Sequence, residues 1–222
     1  MSLAATLINT IQARIGSGRT GRRTSGIFCR RRTGCRDRPL PCAGLPARVA
    51  PGDMVLVCGV FLSPRLVAGC RQLLETLVGR GFATALDTGW PDGGWDGVRS
   101  LVESWLPSVD HVLFNDLETM SMAGRESLDG AVEWFRAHLR PTASLVVKRG
   151  AEGAAAWRGD ERVDCPVLAV EVIDTIGVGD AFNAGYLFGC ATGLDLAASL
   201  RLAVTTACTA ISTSPRRFVP AV

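Results

Sequence analysis

The chain is poor in lysine, tyrosine and histidine. Lys148 stands alone beside 23 arginines, Tyr186 is the single tyrosine, and His111 and His138 are the only histidines among 222 residues. Eight cysteines, at 29, 35, 42, 58, 70, 165, 190 and 208, include no C-x-x-C pair. With so few histidines to join them, that spacing argues against a zinc site. No run of 18 apolar residues occurs, which argues against a spanning helix. The opening MSLAATLINTIQARI lacks the charged start and long apolar stretch of a secretory signal. A cytoplasmic protein with buried free thiols in a reducing compartment is therefore expected. Also missing is G-x-x-x-x-G-K-[ST], and the G-x-G turn at Gly177 and Gly179 has Phe182 where a dinucleotide fingerprint needs its third glycine. Both absences argue against a Walker-type kinase and a Rossmann dehydrogenase.

Acids are nearly absent from the first 48 residues, which hold ten arginines against Asp37. That segment carries +9 while the whole chain carries +3, so the remainder carries −6. Residues 1–51 are accordingly read as a basic Arg/Gly/Pro-rich segment, poorly ordered because weak apolar periodicity cannot offset chain entropy. A nucleic-acid-binding arm is a lesser alternative, since such arms grip phosphates through arginine but here Phe28 is the only aromatic for stacking. An arginine-rich organellar presequence is a third reading.

From Asp53 onward apolar strands alternate with amphipathic helices, and the length suffices for one sizeable core. Strands are expected at 54–60, 82–87, 111–115, 144–148, 153–157 and 167–174. Helices are expected after Ser63-Pro64, at 97–106 and 127–139, and at the end over about 179–192 and 195–211. Near-continuously apolar strands joined by helices imply a mainly parallel sheet covered on both faces. Ligands bind beyond the carboxyl ends of such strands. Asp87, Asn115, Lys148 and Asp174 are each expected at one of those ends, lining a cleft.

The stretch DTIGVGDAFNAG, residues 174–185, carries the most chemistry. Glycines 177 and 179 permit a tight turn into a helix, whose first amides have no partner within it and whose dipole adds positive charge. That is a site for an anion such as phosphate. Asp180 would repel the anion unless it faces something else, and a hydroxyl nucleophile fits. Asp180 would then act as general base while the amides hold the transferred phosphoryl group. On spacing alone, a plain helix-start acid is an equal reading.

DTIGVGDAFNAG resembles the second signature of the ribokinase-like (PfkB) carbohydrate kinases, D-T-x-G-x-G-D-x-F-x-x-G. Asn115-Asp116-Leu117-Glu118 is similar to the N-x-x-E element of that family, and VVKRGAEGA (146–154) to its nucleotide-holding strand and loop. The resemblance covers about residues 52–213. It implies a ribokinase-like three-layer αβα fold, with the N-terminal part and the β-lid of the family missing or replaced. It implies ATP and Mg²⁺ as cofactors and a small sugar as the phosphoryl acceptor. It makes Asp180 the base and the amides of Gly177, Val178 and Gly179 the anion hole. Asn115 and Glu118 would act on phosphate and Mg²⁺, partly through water. Lys148, Arg149, Gly150, Ala151, Glu152 and Gly153 would border the nucleotide, and Asp174 would sit where many members bind a monovalent cation such as K⁺. In LDTGWPDGGW (86–95), Gly89 and Pro91 replace the Asn and Arg of the sugar-side pattern D-x-N-x-R, so those contacts do not carry over. Trp90 and Trp95 are candidates for stacking on a ligand or packing on the sheet. A catalytically incomplete nucleotide-binding remnant is the competing reading. Without the strands that precede residue 52 in the family, an uncovered sheet edge and self-association are expected.

Overall fold

The computed structural model describes residues 24–28, as backbone strand only, and residues 49–218. Seven strands form one sheet in sequential order: β1 (Thr24–Phe28), β2 (Met54–Cys58), β3 (Ala83–Asp87), β4 (His111–Asn115), β5 (Ser144–Lys148), β6 (Ala154–Arg158) and β7 (Glu161–Cys165). Strands β1 to β5 pair in parallel, and β6 and β7 extend the sheet antiparallel. The helices are α1 (Pro64–Gly79), α2 (Arg99–Glu103), α3 (Asp116–Ala123), α4 (Leu128–His138), α5 (Val178–Thr192) and α6 (Leu196–Ile211).

Sequential order and right-handed crossovers put successive connecting helices on the same face. The two cores follow that rule. On one face Val55, Val57, Leu86, Val112, Phe114 and Val147 pack with apolar residues of α1, α3 and α4. On the other, Met54, Leu56, Ala85, Leu113, Val146 and Ala156 pack with α5 and α6. Adjacent strand residues point to opposite faces, and with both covered, β2 is buried at all five positions. This is the three-layer αβα arrangement expected from the sequence.

Three expectations are revised. The strand expected over 167–174 is displaced upstream: β7 pairs with β6 across a two-residue Gly159-Asp160 turn, with Arg158 opposite Glu161. Pro166 follows at once, and without an N–H it cannot continue the ladder. Residues 166–177 instead run as irregular chain, hung by the Ile173 and Asp174 amides on the Ile211 carbonyl at 2.8 and 3.3 Å. Second, α3 was not expected as a helix, yet it starts on a full capping box. Third, the edge expected to lie uncovered beside β2 is paired with β1 in register Thr24 to Met54 through Phe28 to Cys58. Apart from that strand, the expectation of a poorly ordered segment over residues 1–51 falls mainly outside the described residues.

Helices α5 and α6 touch almost backbone to backbone. A Cβ on Gly185 would lie 2.9 Å from Ala203 Cα, 3.0 Å from the Leu202 carbonyl oxygen and 2.7 Å from Thr206 Oγ1. One on Gly189 would lie 2.8–3.0 Å from three atoms of Ser199. Of the cysteines among the described residues, Cys58, Cys70 and Cys208 are buried, and no helix among those residues is long and apolar enough to cross a membrane.

The contact at Gly185 yields a direct test. Gly185→Val forces α6 away from α5, and overpacking of this kind costs about 1–3 kcal/mol. Chemical denaturation should register that loss, whereas Gly79→Ala, where an added Cβ meets nothing within 4 Å, should not lower stability.

Candidate active site

Three strands deliver polar ends to one sheet edge. Asp87 ends β3, Asn115 ends β4 and Lys148 ends β5, with Asn115 and Lys148 direct partners in the ladder. Asp174, expected as a fourth strand end, reaches this edge from the irregular chain that leads into α5.

Lys148 is tied down from two sides. Its Nζ donates to Asp87 Oδ2 at 2.9 Å and to Asn183 Oδ1 at 3.4 Å, and Asn183 Nδ2 donates to the same Asp87 oxygen at 2.5 Å. The Lys148 and Asp87 side chains are only 16% and 15% exposed, and Asn183 is 1% exposed. Such a pair is costly to desolvate and even more costly to break. Asn183 lies one helical turn beyond Asp180, so the network fixes the same face of α5 that presents the acid. Asn183 was not among the expected site residues; its three-residue spacing from Asp180 is the signal in the sequence that points to it.

The first turn of α5 opens beside this network. Gly177 caps the helix in the left-handed region, at φ 72°. A Cβ on Gly179 would lie 3.9 Å from Lys148 Nζ, so the ammonium stands against the helix start. Of the three amides read as an anion hole, Val178 N–H already donates to the Thr175 carbonyl at 3.2 Å. The amides of Gly177 and Gly179 have no backbone acceptor among the described residues. Two of those three amides therefore stay available to an anion, with the Lys148 ammonium alongside.

Asp180 is exposed. The protein packed around it still removes enough water to push its carboxyl above the usual range. The Asp87 charge pushes the same way and Lys148 pulls against both. A carboxylate raised in this way is a better proton acceptor near neutrality.

Asn115 and Glu118 meet as the capping box of α3. Asn115 Oδ1 accepts from Glu118 N–H at 2.7 Å, and Glu118 Oε2 accepts from Asn115 N–H at 2.9 Å. Burial pushes the Glu118 carboxyl upward. The Asn115 amide opposes that shift, Asp87 and Asp116 add to it, and Lys148 opposes it. Among the described residues no three His, Cys, Asp or Glu side chains gather as a metal cluster. A bound Mg²⁺ would therefore take at most one or two carboxylates from this site and complete its shell with water and phosphate, the usual habit of that ion. The capping box leaves Glu118 Oε1 for such an ion, and leaves Asn115 Nδ2 as a donor to a phosphate or water oxygen.

The loop after β5 is a tight turn. Arg149 N–H donates to the Gly153 carbonyl at 2.8 Å, Glu152 N–H to Arg149 and Gly153 N–H to Gly150. The Arg149 guanidinium pairs with Glu152 and lies 3.7 Å from Asp164. Gly150 and Ala151 are exposed at its tip, on the same edge as Lys148. A Cβ at Gly153, φ 91°, would collide with the Cys165 carbonyl. The two tryptophans divide: Trp95 is 4% exposed and packs edge-on against Phe61, whereas Trp90 is 52% exposed.

The reading of Asp174 as a ligand of a monovalent cation does not fit its surroundings. Arg216 Nη2 donates to Asp174 Oδ2 at 2.6 Å and to the Asp174 carbonyl at 3.2 Å, and Arg216 Nη1 donates to the Ile176 carbonyl. A fixed cation already holds those oxygens. Sequence reading missed Arg216 because only the fold returns the chain after α6 to this edge.

The fold is ribokinase-like α/β. The profile of the pfkB family carbohydrate kinases matches residues 36–218. The chain belongs to that family. It is similar to a 2-dehydro-3-deoxygalactonokinase of Haloferax volcanii, 28% identical over 66% of this chain and 46% of that one. It also resembles the crystal structure of adenosine kinase from Sinorhizobium meliloti, with TM-score 0.63 and 27% identity over 75% of this chain and 51% of that one. A ribokinase II of E. coli, solved with ATP and Mg²⁺, shares the fold at TM-score 0.65 and 19% identity, over 72% of this chain and 52% of that one. The chain spans about half the length of each.

The buried pair can be tested independently of any activity. Asp87→Ala strands the Lys148 charge and should lower stability by about 3 kcal/mol, measured by urea unfolding. Adding Lys148→Met to that variant should recover part of the loss. Strictly additive losses would show that the two groups do not depend on each other.

Proposed function

We propose that the chain forms the phosphoryl-transfer half of an ATP-dependent kinase acting on a sugar or related alcohol. The observation that carries this reading is the pairing of the free Gly177 and Gly179 amides with the Asp180 carboxylate in one helical turn. Family membership and the relatives' names agree with it. Those relatives act on different acceptors, so the acceptor's identity is left at the level of an alcohol.

Each group then has a task. The free amides and the positive end of α5 bind the oxygens of the group in transit, stabilising charge where it develops. Lys148 adds its charge beside the helix start, held by Asp87 and Asn183. Asp180 takes the proton from the acceptor hydroxyl, a contribution of about 10²–10⁴-fold. Glu118 and Asn115 hold Mg²⁺ and phosphate, and the tip at Gly150 and Ala151 borders the nucleotide. Mg²⁺, when bound with the nucleotide, supplies charge neutralisation across the phosphates. A nucleotide-binding chain without turnover is the competing reading, favoured by Gly89 and Pro91 standing where the sugar-side pattern has Asn and Arg.

A coupled assay for ADP release across a panel of sugars, deoxy sugar acids and nucleosides tests the reading. Asp180→Asn should abolish turnover on whichever acceptor is active while leaving thermal stability unchanged or higher, because a carboxylate held above its usual range is itself a burden on the fold. Activity should fall as pH drops through the raised Asp180 value. Asp87→Asn removes a like charge and frees Lys148, and both changes favour the ionised acid. The acidic limb of kcat/KM must then move to lower pH, and an upward movement would refute the assigned base.

A further inference from the structure

Three oxygens on the chain that enters α5 converge on one point: the carbonyl and Oδ2 of Asp174 and the carbonyl of Ile176. The Arg216 guanidinium fills that point through three hydrogen bonds, two of them at 2.6 and 3.2 Å. The remaining Asp174 oxygen, Oδ1, accepts the Ile176 N–H at 2.9 Å, so the carboxylate is used on both sides. A carboxylate and two carbonyls within three residues form a hard, all-oxygen donor set of the kind that holds alkali and alkaline-earth cations. Here the charge at its centre is covalently part of the chain. A guanidinium stays ionised throughout the working pH range and offers donors in a rigid plane, which a spherical ion cannot do.

The location gives this contact its consequence. Residue 177 follows the last of the three oxygens and caps α5 in the left-handed region. A Cβ built there would lie 3.5 Å from Arg216 Nη1 and 3.9 Å from Asp180 Oδ2. The guanidinium is therefore packed against the turn that exposes the Gly177 and Gly179 amides. Its side chain is 26% exposed and that of Asp174 51%. The pair alone would be a modest surface contact; the two carbonyl bonds make it a brace on the turn.

We propose that Arg216 is a built-in substitute for a dissociable monovalent cation, a positioning residue that holds 174–177 in the anion-binding shape without K⁺. The functional consequence rests on the kinase reading above, whereas the brace itself does not.

Hydrogen exchange of a peptide covering 173–182, read by mass spectrometry on the full chain, tests the brace without any substrate. In the wild type, exchange should be the same in potassium chloride and in choline chloride of equal ionic strength. In Arg216→Ala it should be faster in choline and slowed again by potassium, which can enter the vacated oxygens. Arg216→Lys, a point charge that cannot span three acceptors, should behave like the alanine variant in weaker form. Wild-type exchange slowed by potassium, or Arg216→Ala exchange indifferent to either salt, would overturn the proposal. Calorimetric titration with Mg·ADP supplies the second readout. Binding should be salt-independent in the wild type. In Arg216→Ala it should weaken on the order of tenfold in choline, within the usual range of coupling between sites sharing a segment, and recover in potassium. If no variant binds nucleotide while exchange follows the expected pattern, the kinase reading falls and the brace stands. If nucleotide binds but wild-type exchange depends on potassium, the brace falls and the kinase reading survives.

Discussion

The ammonium of Lys148 stands nearly out of water, and a charge in that position must be neutralised where it stands. Asp87 does so from β3 and Asn183 joins from α5. One electrostatic requirement thus brings the ends of two strands and one helix to a common point. Those strands are not neighbours: β4 lies between β3 and β5. Asn115 and Glu118, at the end of β4, are consequently held beside the same network. The charges of Asp87 and Lys148 reach both Asp180 and Glu118, raising and lowering each carboxyl in opposition. The basicity of the two acids is therefore set jointly, by burial and by the same two charges.

Much of this was legible in the chain because the signals were local. Buried parallel strands such as MVLVC and SLVVK read as apolar runs, and α1, α5 and α6 carry clear start and stop residues. Other features were hidden for physical reasons. Strand β7, ERVDC, lies on the sheet's edge with polar side chains outward, and so resembles a loop in composition. The apolar stretch after Pro166 has the composition of a strand but no ladder to join, since proline cannot donate. The helix α3 was obscured by its own cap: Asn115 and Glu118 resemble a ligand-binding pair, and that reading drew attention from the helix they begin. The two roles are compatible because each side chain spends one polar atom on the cap and keeps another. In the site, Asp180 and the two glycines could be read directly. Asn183 and Arg216 could not, because their partners lie 96 and 42 residues away.

The segment between β7 and α5 illustrates how irregular chain becomes defined. Residues 166–177 have no strand or helix of their own, yet both ends are held. Cys165 ends the ladder at one side, and the Ile211 carbonyl receives two amides near the other. Arg216 then closes the last three residues onto the start of α5. The final helix and the turn after it thereby determine the shape of a loop that precedes them by about forty residues. A site feature assembled in this way depends on the last part of the chain being in position, and the family match runs to residue 218.

The near backbone-to-backbone crossing of α5 and α6 at Gly185 and Gly189 has a mechanical meaning. Two rods meshed at successive turns cannot slip along or roll over one another without driving atoms together. They travel as a single stiff beam, anchored on the sheet by Phe182, Tyr186 and Leu200. Asp180, at one tip of that beam, shares its rigidity, so its bearing follows from the crossing of the two helices.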